Sequence, residues 1–490
     1  MKPITQNFLK CLLLAAIIYM PLFGHLDSLP IRIWDESRLA INAFEMFKNG
    51  NFLVTYFENH PDMWNTKPPL LIWIQVFTMK IIGVNELAIR LPSAFAALFT
   101  CLVLLVFSIR FLKSFWFGII AIIVLITSQG YVNLHATRTG DYDALLCLFT
   151  TLSGLLFFSF VEKKETKYLY FFFLSLTLSV LTKSIAGLMF LPAIGIYCLW
   201  QKSVISLLKN KHFYIGLLVF LVLVFGYYYL RDFYNPGYIE AVKFNDLGGR
   251  YLSVLDGHES DGWFYYDLLL NTKFSYWFYF VPLGFLIGLF NQNIKLHKLA
   301  VFSMLMSSIF LIVISYSQTK LDWYDVPLYP YFALLASVFI YLVYQYIQNL
   351  TLVNKYLKWN VLPYVFLFFI SFLPYKKILD KTYCPKEFEW DVDFYAMGYF
   401  LKDAIEGNQN VQNCFILYDG YFAQNLFYIH ILNDKGKNIN LKDWKKLNKG
   451  DQVISSQKTI NDYLTENYIS KSIKVSKSVT KYEIISTKTK

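Results

Sequence analysis

The chain reads Ala136-Thr137-Arg138-Thr139-Gly140-Asp141-Tyr142-Asp143 and then, without a break, the uncharged run Ala144–Val161 (ALLCLFTTLSGLLFFSFV). A run of this length and apolarity is long enough to cross a bilayer as a helix. Two acids and an arginine at its mouth cost desolvation energy, so they mark a functional position by default. A purely structural alternative is an Arg–Asp pair with a helix cap, which would satisfy Arg138 without chemistry.

Ten further runs of the same kind lie around it: Phe8–Gly24, Leu91–Ile109, Ser114–Leu134, Tyr168–Thr182, Ser184–Gln201, Phe213–Leu230, Phe274–Ile294, Leu299–Thr319, Val326–Val353 and Trp359–Tyr375. Eleven spans are therefore expected. Pro68–Met79 is too short to cross and fits a helix lying at the interface. The composition agrees: 56% of the 490 residues are hydrophobic and 16% charged, against about 25% charged in soluble domains. The net charge of +11 sits largely in loops and the tail, where it orients the chain against anionic lipid. Nucleic acid is not an expected partner; membrane lipid is. Cys11, Cys101, Cys147 and Cys198 fall within apolar runs, whereas Cys384 and Cys414 lie in the polar tail, where they could pair if it is exported. The first run reads as a retained signal anchor, since no small-residue cleavage site follows it.

Lysine and arginine set the orientation. With the N-terminus in the cytoplasm, the inner loops hold Arg110 and Lys113, the stretch 162–167, the stretch 202–211, Lys295 with Lys298, and Lys355 with Lys358. Short basic inner loops are what the positive-inside rule expects. The outer face then receives the loop 25–67, the segment 135–143, the corner at Lys183, the loop 231–273, the stretch 320–325 and the tail. Residues 1–375 form the membrane domain and 376–490 a smaller outer α/β domain. Within the latter, 414–418 and 474–486 have strand-like content and 394–405 helical spacing.

Five clusters carry the chemistry, and the topology puts all of them on one face. Trp34-Asp35-Glu36-Ser37-Arg38 places two acids where they would serve as a base, hold a cation, or simply begin a helix. Lys67 precedes Pro68-Pro69 and is held extended, its ammonium available to an anionic group or to the interface. Asp141 and Asp143 follow, with Arg138 beside them. Lys183, in Leu181-Thr182-Lys183-Ser184, and Lys320, in Thr319-Lys320-Leu321-Asp322-Trp323-Tyr324, are lysines at the membrane boundary. There they suit a phosphate or anchor a helix end. His60 and His258 lack metal-ligand spacing, no metal ligand is assigned, and no nucleotide-binding motif is present.

In this order the clusters resemble the GT-C glycosyltransferases, of the dolichyl-phosphate-mannose–protein mannosyltransferase type and the bacterial 4-amino-4-deoxy-L-arabinose transferase branch. The likeness rests on Asp35-Glu36-Ser37-Arg38, Lys67-Pro68-Pro69-Leu70, Arg90-Leu91-Pro92-Ser93, Asp141-Tyr142-Asp143-Ala144-Leu145, Leu181-Thr182-Lys183 and Thr319 to Tyr324. It implies an all-helical membrane enzyme of the bacterial inner membrane. Such an enzyme inverts the sugar as it moves it from a polyprenyl phosphate to a lipid, a lipid A-like molecule or another envelope glycan on the outer face. It implies Asp35 as the catalytic acid of the first loop with Glu36 beside it, and Asp143 as the second acid with Asp141 as its rival. Lys67 becomes the mobile lysine at the mouth, and Lys183, Lys320 and Tyr324 the donor-phosphate contacts, with Arg38 and Arg138 nearby. No cofactor is obligatory, a divalent cation being optional. Asp322 stands where relatives commonly have proline, which puts the geometry before Tyr324 in question. A protein O-mannosyltransferase is the rival within the class. A transporter or flippase of a lipid-linked sugar is the rival outside it, although no inverted halves are visible.

Overall fold

The computed structural model describes residues 3–254, 257–350, 361–390, 392–476 and 478–488. Its membrane part consists of α1 (Pro3–Phe23), α2 (Asp35–Asn49), α3 (Leu70–Ile82), α4 (Glu86–Phe107), α5 (Phe115–Ile126), α6 (Asp143–Lys163), α7 (Thr166–Lys183), α8 (Leu191–Trp200), α9 (Lys211–Tyr234), α10 (Phe280–Leu289), α11 (Ile294–Tyr316), α12 (Tyr329–Asn349) and α13 (Leu362–Tyr383). Among the described residues seven helices are long and apolar enough to cross a membrane: those over 86–112, 143–163, 166–188, 211–234, 294–316, 322–349 and 362–383. The expected count of eleven is not confirmed. Three apolar runs are helical over only part of their length, at Phe115–Ile126, Leu191–Trp200 and Phe280–Leu289, and in α1 the apolar helix is Leu12–Phe23. Hydropathy counts apolar residues, not helical hydrogen bonds. Irregular backbone at this depth is tolerated where protein surrounds it, as at buried Ser128, Tyr131 and Val132. The short stretch read as an interfacial helix is helical as α3, and the basic pair Lys355 and Lys358 lies outside the described residues.

α6 is the central helix, and nearly all of its side chains are buried. It packs most extensively against α7 and α4. α9, by contrast, turns most of its residues outward, as an outermost helix facing lipid would. Small residues let other helices close up: a Cβ at Gly284 of α10 would lie 1.8 Å from the Leu335 carbonyl oxygen of α12. Close backbone approach of this kind replaces the hydrophobic driving force that lipid cannot supply. α4 begins at Asn85, whose side chain accepts from the Ala88 amide, and α7 stops where Ser184 adopts φ 47° and a short 3-10 turn follows.

Beyond α13 a mixed α/β unit holds α14 (Val392–Glu406), α15 (Ala423–Asp434) and α16 (Lys458–Asn467). With the small hairpin β1 (Tyr56–Phe57) and β2 (His60–Pro61) counted first, its strands are β3 (Phe415–Ile416), β4 (Asn440–Leu441), β5 (Gln452–Ser455), β6 (Tyr468–Lys474) and β7 (Thr480–Thr487). The order across the sheet is β4-β3-β5-β7-β6, parallel on both sides of β3 and antiparallel beyond β5. Cys384 is exposed and Cys414 buried, and the two are not bridged. One core joins this unit to the site-bearing end of the bundle: Phe427 and Leu432 of α15 pack with Leu39 and Ala43 of α2.

Candidate active site

The first-loop cluster is anchored before it is exposed. Arg90 of α4 grips Glu36 with two nearly parallel bonds, Nε to Oε1 at 2.6 Å and Nη2 to Oε2 at 2.8 Å. Its remaining donors reach the carbonyls of Leu26, Leu29 and Pro30. Glu36 also accepts from the amides of Arg32 and Gly140 at 2.7 and 3.0 Å. Burial alone would raise this carboxyl; the Arg90 guanidinium reverses that and holds it below its ordinary range. Gly140 is required by contact, since a Cβ there would come within 2.3 Å of Ile89 Cγ2. Glu36 thus ties α2, α4 and the segment before α6 together, and it does not line the cavity described below.

Arg38 is similarly committed. Its Nε and Nη2 donate to the two oxygens of Asp62 at 2.9 and 2.7 Å. Asp62 accepts further from Asn42 and from the amides of Trp64 and Asn65. Arg231 of α9 holds the same loop by its Leu53 carbonyl and Thr55 hydroxyl. Tyr238 donates to the Thr66 carbonyl at 2.6 Å, next to Lys67. The α/β unit fixes the stretch from the other side. Trp34, at φ 73°, stacks on Tyr421 with centroids 4.8 Å apart, and Tyr428 donates to Glu86 while accepting from the Ile31 amide.

What these anchors leave facing a narrow polar cavity is Asp35, Arg38, Trp64, Lys67, Asp141, Asp143, Lys183, Trp323 and Tyr324. Asp143, in the first turn of α6, accepts from Lys183 Nζ at 2.6 Å, and that ammonium lies 5.2 Å from the Tyr324 ring centre. Lys67 stands over the Tyr142 ring. Asp35 differs from the other acids: its side chain is 54% exposed, against 4% for Asp141. A second, apolar cavity of about 340 Å³ adjoins the first and shares Lys67, Asp143, Lys183 and Tyr324 with it. Leu146, Met189, Phe310 and Ile314 line its depth.

Two expected residues stand apart from both cavities. Lys320 donates to the Ser260 and Ser317 carbonyls at 3.0 and 2.7 Å, pinning the outer loop. Arg138 donates to the carbonyls of Pro21 and Gly24. Lys273 holds Asp322 by its carboxylate at 3.0 Å and its carbonyl at 2.7 Å, and the 3-10 turn Asp322–Leu328 carries Tyr324 to the junction of the cavities.

Sequence reasoning missed His135. Its ring stacks on Trp323 at 3.8 Å and 9°, with Nδ1 3.6 Å from Asp141 and 3.8 Å from Asp35. The only signal was its place in the same polar segment, six residues before Asp141. Burial lowers its pKa from 6.5 to about 4, the charge of Asp35 notwithstanding. Burial and the neighbouring charges of Asp35 and Glu36 push Asp141 well above its ordinary value. His135 is therefore neutral in the folded protein where the unfolded chain would charge it. The unfolded state binds more protons between pH 6.5 and about 4, so stability falls as pH drops through that window. The melting temperature of the wild type should fall more steeply from pH 6.5 to 4 than that of His135→Gln; equal slopes would refute the neutral, buried ring. Ligand atoms of Asp35, His135 and Asp141 lie within 4.8 Å of one another, a separation at which they could share a cation.

Residues 66–229 match the family described as dolichyl-phosphate-mannose-protein mannosyltransferase. An uncharacterised protein of Aquifex aeolicus is 24% identical over 337 residues, 68% of this chain and 64% of that one, so the match spans less than two thirds of the relative's length. The undecaprenyl phosphate-alpha-4-amino-4-deoxy-L-arabinose arabinosyl transferase of Shewanella sediminis is 25% identical over 284 residues, 54% of this chain and 49% of that protein. The fold is that of ArnT from Cupriavidus metallidurans, solved bound to undecaprenyl phosphate: the TM-score is 0.71 over 98% of both chains, at 14% identity. The chain accordingly shares the ArnT fold and is a multi-pass membrane protein, with the mannosyltransferase-type match lying over the segment that carries Lys67, Asp143 and Lys183.

Proposed function

We propose that this protein is an inverting glycosyltransferase of the bacterial inner membrane, with its N-terminus cytoplasmic and its α/β unit periplasmic. In this reading it moves a sugar from a polyprenyl-phosphate donor to a lipid A-like lipid or another envelope acceptor. The observation that supports this best is the shared wall of the two cavities: Lys67, Lys183 and Tyr324 stand where a polar pocket meets an apolar one. A polyprenyl phosphate has that same division, an anionic head on a long apolar tail. The departing phosphate oxygen gains charge as the glycosidic bond breaks, and fixed cations lower the barrier to that step. Asp143 orients Lys183 through its 2.6 Å bond. Asp35, the exposed carboxylate, takes the proton of a hydroxyl acceptor or, with a phosphate acceptor, steadies positive charge on the sugar ring.

No metal is needed in this reading, because Lys67 and Lys183 supply the charge. Transfer should therefore survive EDTA. Loss of activity restored by Mn²⁺ would instead assign Asp35, His135 and Asp141 as ligands of a divalent cation. A protein O-mannosyltransferase uses the same donor chemistry and differs in the acceptor. The flippase alternative is disfavoured because the acids and lysines that line the two adjoining cavities stand together at one end of the bundle. Mass spectrometry of envelope lipids and glycans with and without the gene separates the three. A missing sugar-sized mass on a glycolipid supports the proposal, the same loss confined to proteins supports the O-mannosyltransferase, and a lipid-linked sugar trapped in the inner leaflet supports the flippase.

A further inference from the structure

A third cavity, of about 450 Å³, lies at the other end of the bundle, between α4 and α6, and neither of the two site cavities shares its lining. Its wall on α6 runs from Leu148 to Ser159 and is apolar apart from Ser159. At 1.5 Å per residue that is about 16 Å, half of the roughly 30 Å hydrocarbon core. The groove is one leaflet deep. Its volume falls in the ~300–1,000 Å³ range of small-ligand sites.

Its far end changes character. Arg110 and Lys163 close it, with Tyr168 between them. Arg110 stands in a π-helical turn, Ser108–Leu112, that ends α4 and breaks its regular spacing; such turns often mark functional positions. Among the described residues Arg110 has no ion-pair partner. Among the described residues Lys163 Nζ donates to the Tyr168 hydroxyl at 3.0 Å and has no acidic partner. The nearby acids are already engaged, Glu165 by Lys167 and Glu162 by Lys298. Among the described residues the mouth is therefore cationic, tyrosine-lined and without a carboxylate of its own.

We infer that this groove binds an anionic glycerophospholipid of the leaflet opposite the active site, one acyl chain along α6 and the phosphate between Arg110 and Lys163. Guanidinium and ammonium donors at the head-group level suit a phosphodiester, and basic pockets between transmembrane helices bind anionic head groups on this principle. An uncharged or zwitterionic lipid would fill the apolar part and leave the two cations without a net countercharge. The site is independent of the catalytic reading, because α6 separates Lys163 from Asp143 by its whole length.

Native mass spectrometry of the full chain, offered equal amounts of phosphatidylglycerol and phosphatidylcholine, tests this. Wild type should retain phosphatidylglycerol with about thirtyfold preference, because each of the two basic residues favours an anionic head group at the lipid surface. Arg110→Gln/Lys163→Gln should lose that preference. Leu152→Trp, which fills the groove, should lose retention of both lipids. Lys209→Gln/Lys211→Gln, at a basic loop outside the groove, should keep the wild-type preference. No preference in wild type, preference persisting in the Arg110/Lys163 variant, unchanged retention in Leu152→Trp, or equal loss in the Lys209/Lys211 control would each overturn the site. Both pairs are at the surface, so a folding defect is not expected to intervene, and the melting temperature checks it.

Discussion

Asp35→Asn should lower the transfer rate by roughly 10²–10⁴-fold, the range typical of a lost general base, while leaving donor binding intact. The cavity geometry gives the reason. Glu36 is consumed by Arg90 and two amides, and Asp143 by Lys183. Asp141 is buried beside His135 and Thr139, and burial with the neighbouring charges pushes its pKa well above the ordinary value. Asp35 alone among these four combines exposure with a place on the cavity wall. The substitution keeps size and removes charge at an exposed position, so the melting temperature should stay near wild type. A kinetic assay of reconstituted protein over a range of donor concentrations separates the effects. A reduced kcat at unchanged KM supports the assignment, and an unchanged kcat removes Asp35 from the chemistry.

Arg90→Met should be the most damaging single substitution to the fold, by about 3–5 kcal/mol, the usual cost of stranding one member of a buried ion pair. Five hydrogen bonds end on this guanidinium, and its loss leaves the Glu36 charge buried with only backbone amides. Arg90→Lys should rescue little, because an ammonium cannot reproduce the two-pronged geometry. Glu36→Gln/Arg90→Met should recover much of the loss, since it removes the stranded charge as well. Thermal unfolding in detergent measures all three. A double variant no more stable than Arg90→Met would show that the pair is not the source of the effect.

Much of this was legible in the sequence, for a simple physical reason. Charged residues are expensive beside apolar runs, so Asp35, Lys67, Asp143 and Lys183 stand out wherever they occur, and topology groups them before any contact is known. Partners separated along the chain were not legible. Arg90 lies 54 residues from Glu36, and nothing local distinguishes a carboxylate held in an ion pair from one facing a substrate. Lys320 read as a phosphate contact because the loop around Ser260, which takes its ammonium, has no periodic pattern that would place it there. His135 was hidden for the same reason, its stacking partner Trp323 being far along the chain.

The fold divided similarly. Long apolar helices declared themselves by composition. The stretches 127–134 and 184–188 were counted into spans because their residues are mostly apolar or small, although their backbone is irregular or 3-10. In the α/β unit α14 and β7 matched their patterned stretches, whereas β4 is two residues long and carries too little sequence to show alternation.

The claim that joins these findings is that a lipid phosphate sits at Lys183, where the polar and apolar cavities meet. Its most direct test is the affinity of undecaprenyl phosphate for the wild type and for Lys183→Gln, both in the same detergent. The account predicts binding by the wild type and roughly 10- to 100-fold weaker binding by the variant, the worth of one charge-assisted hydrogen bond. Equal affinity in the two proteins would place the phosphate elsewhere and contradict the account.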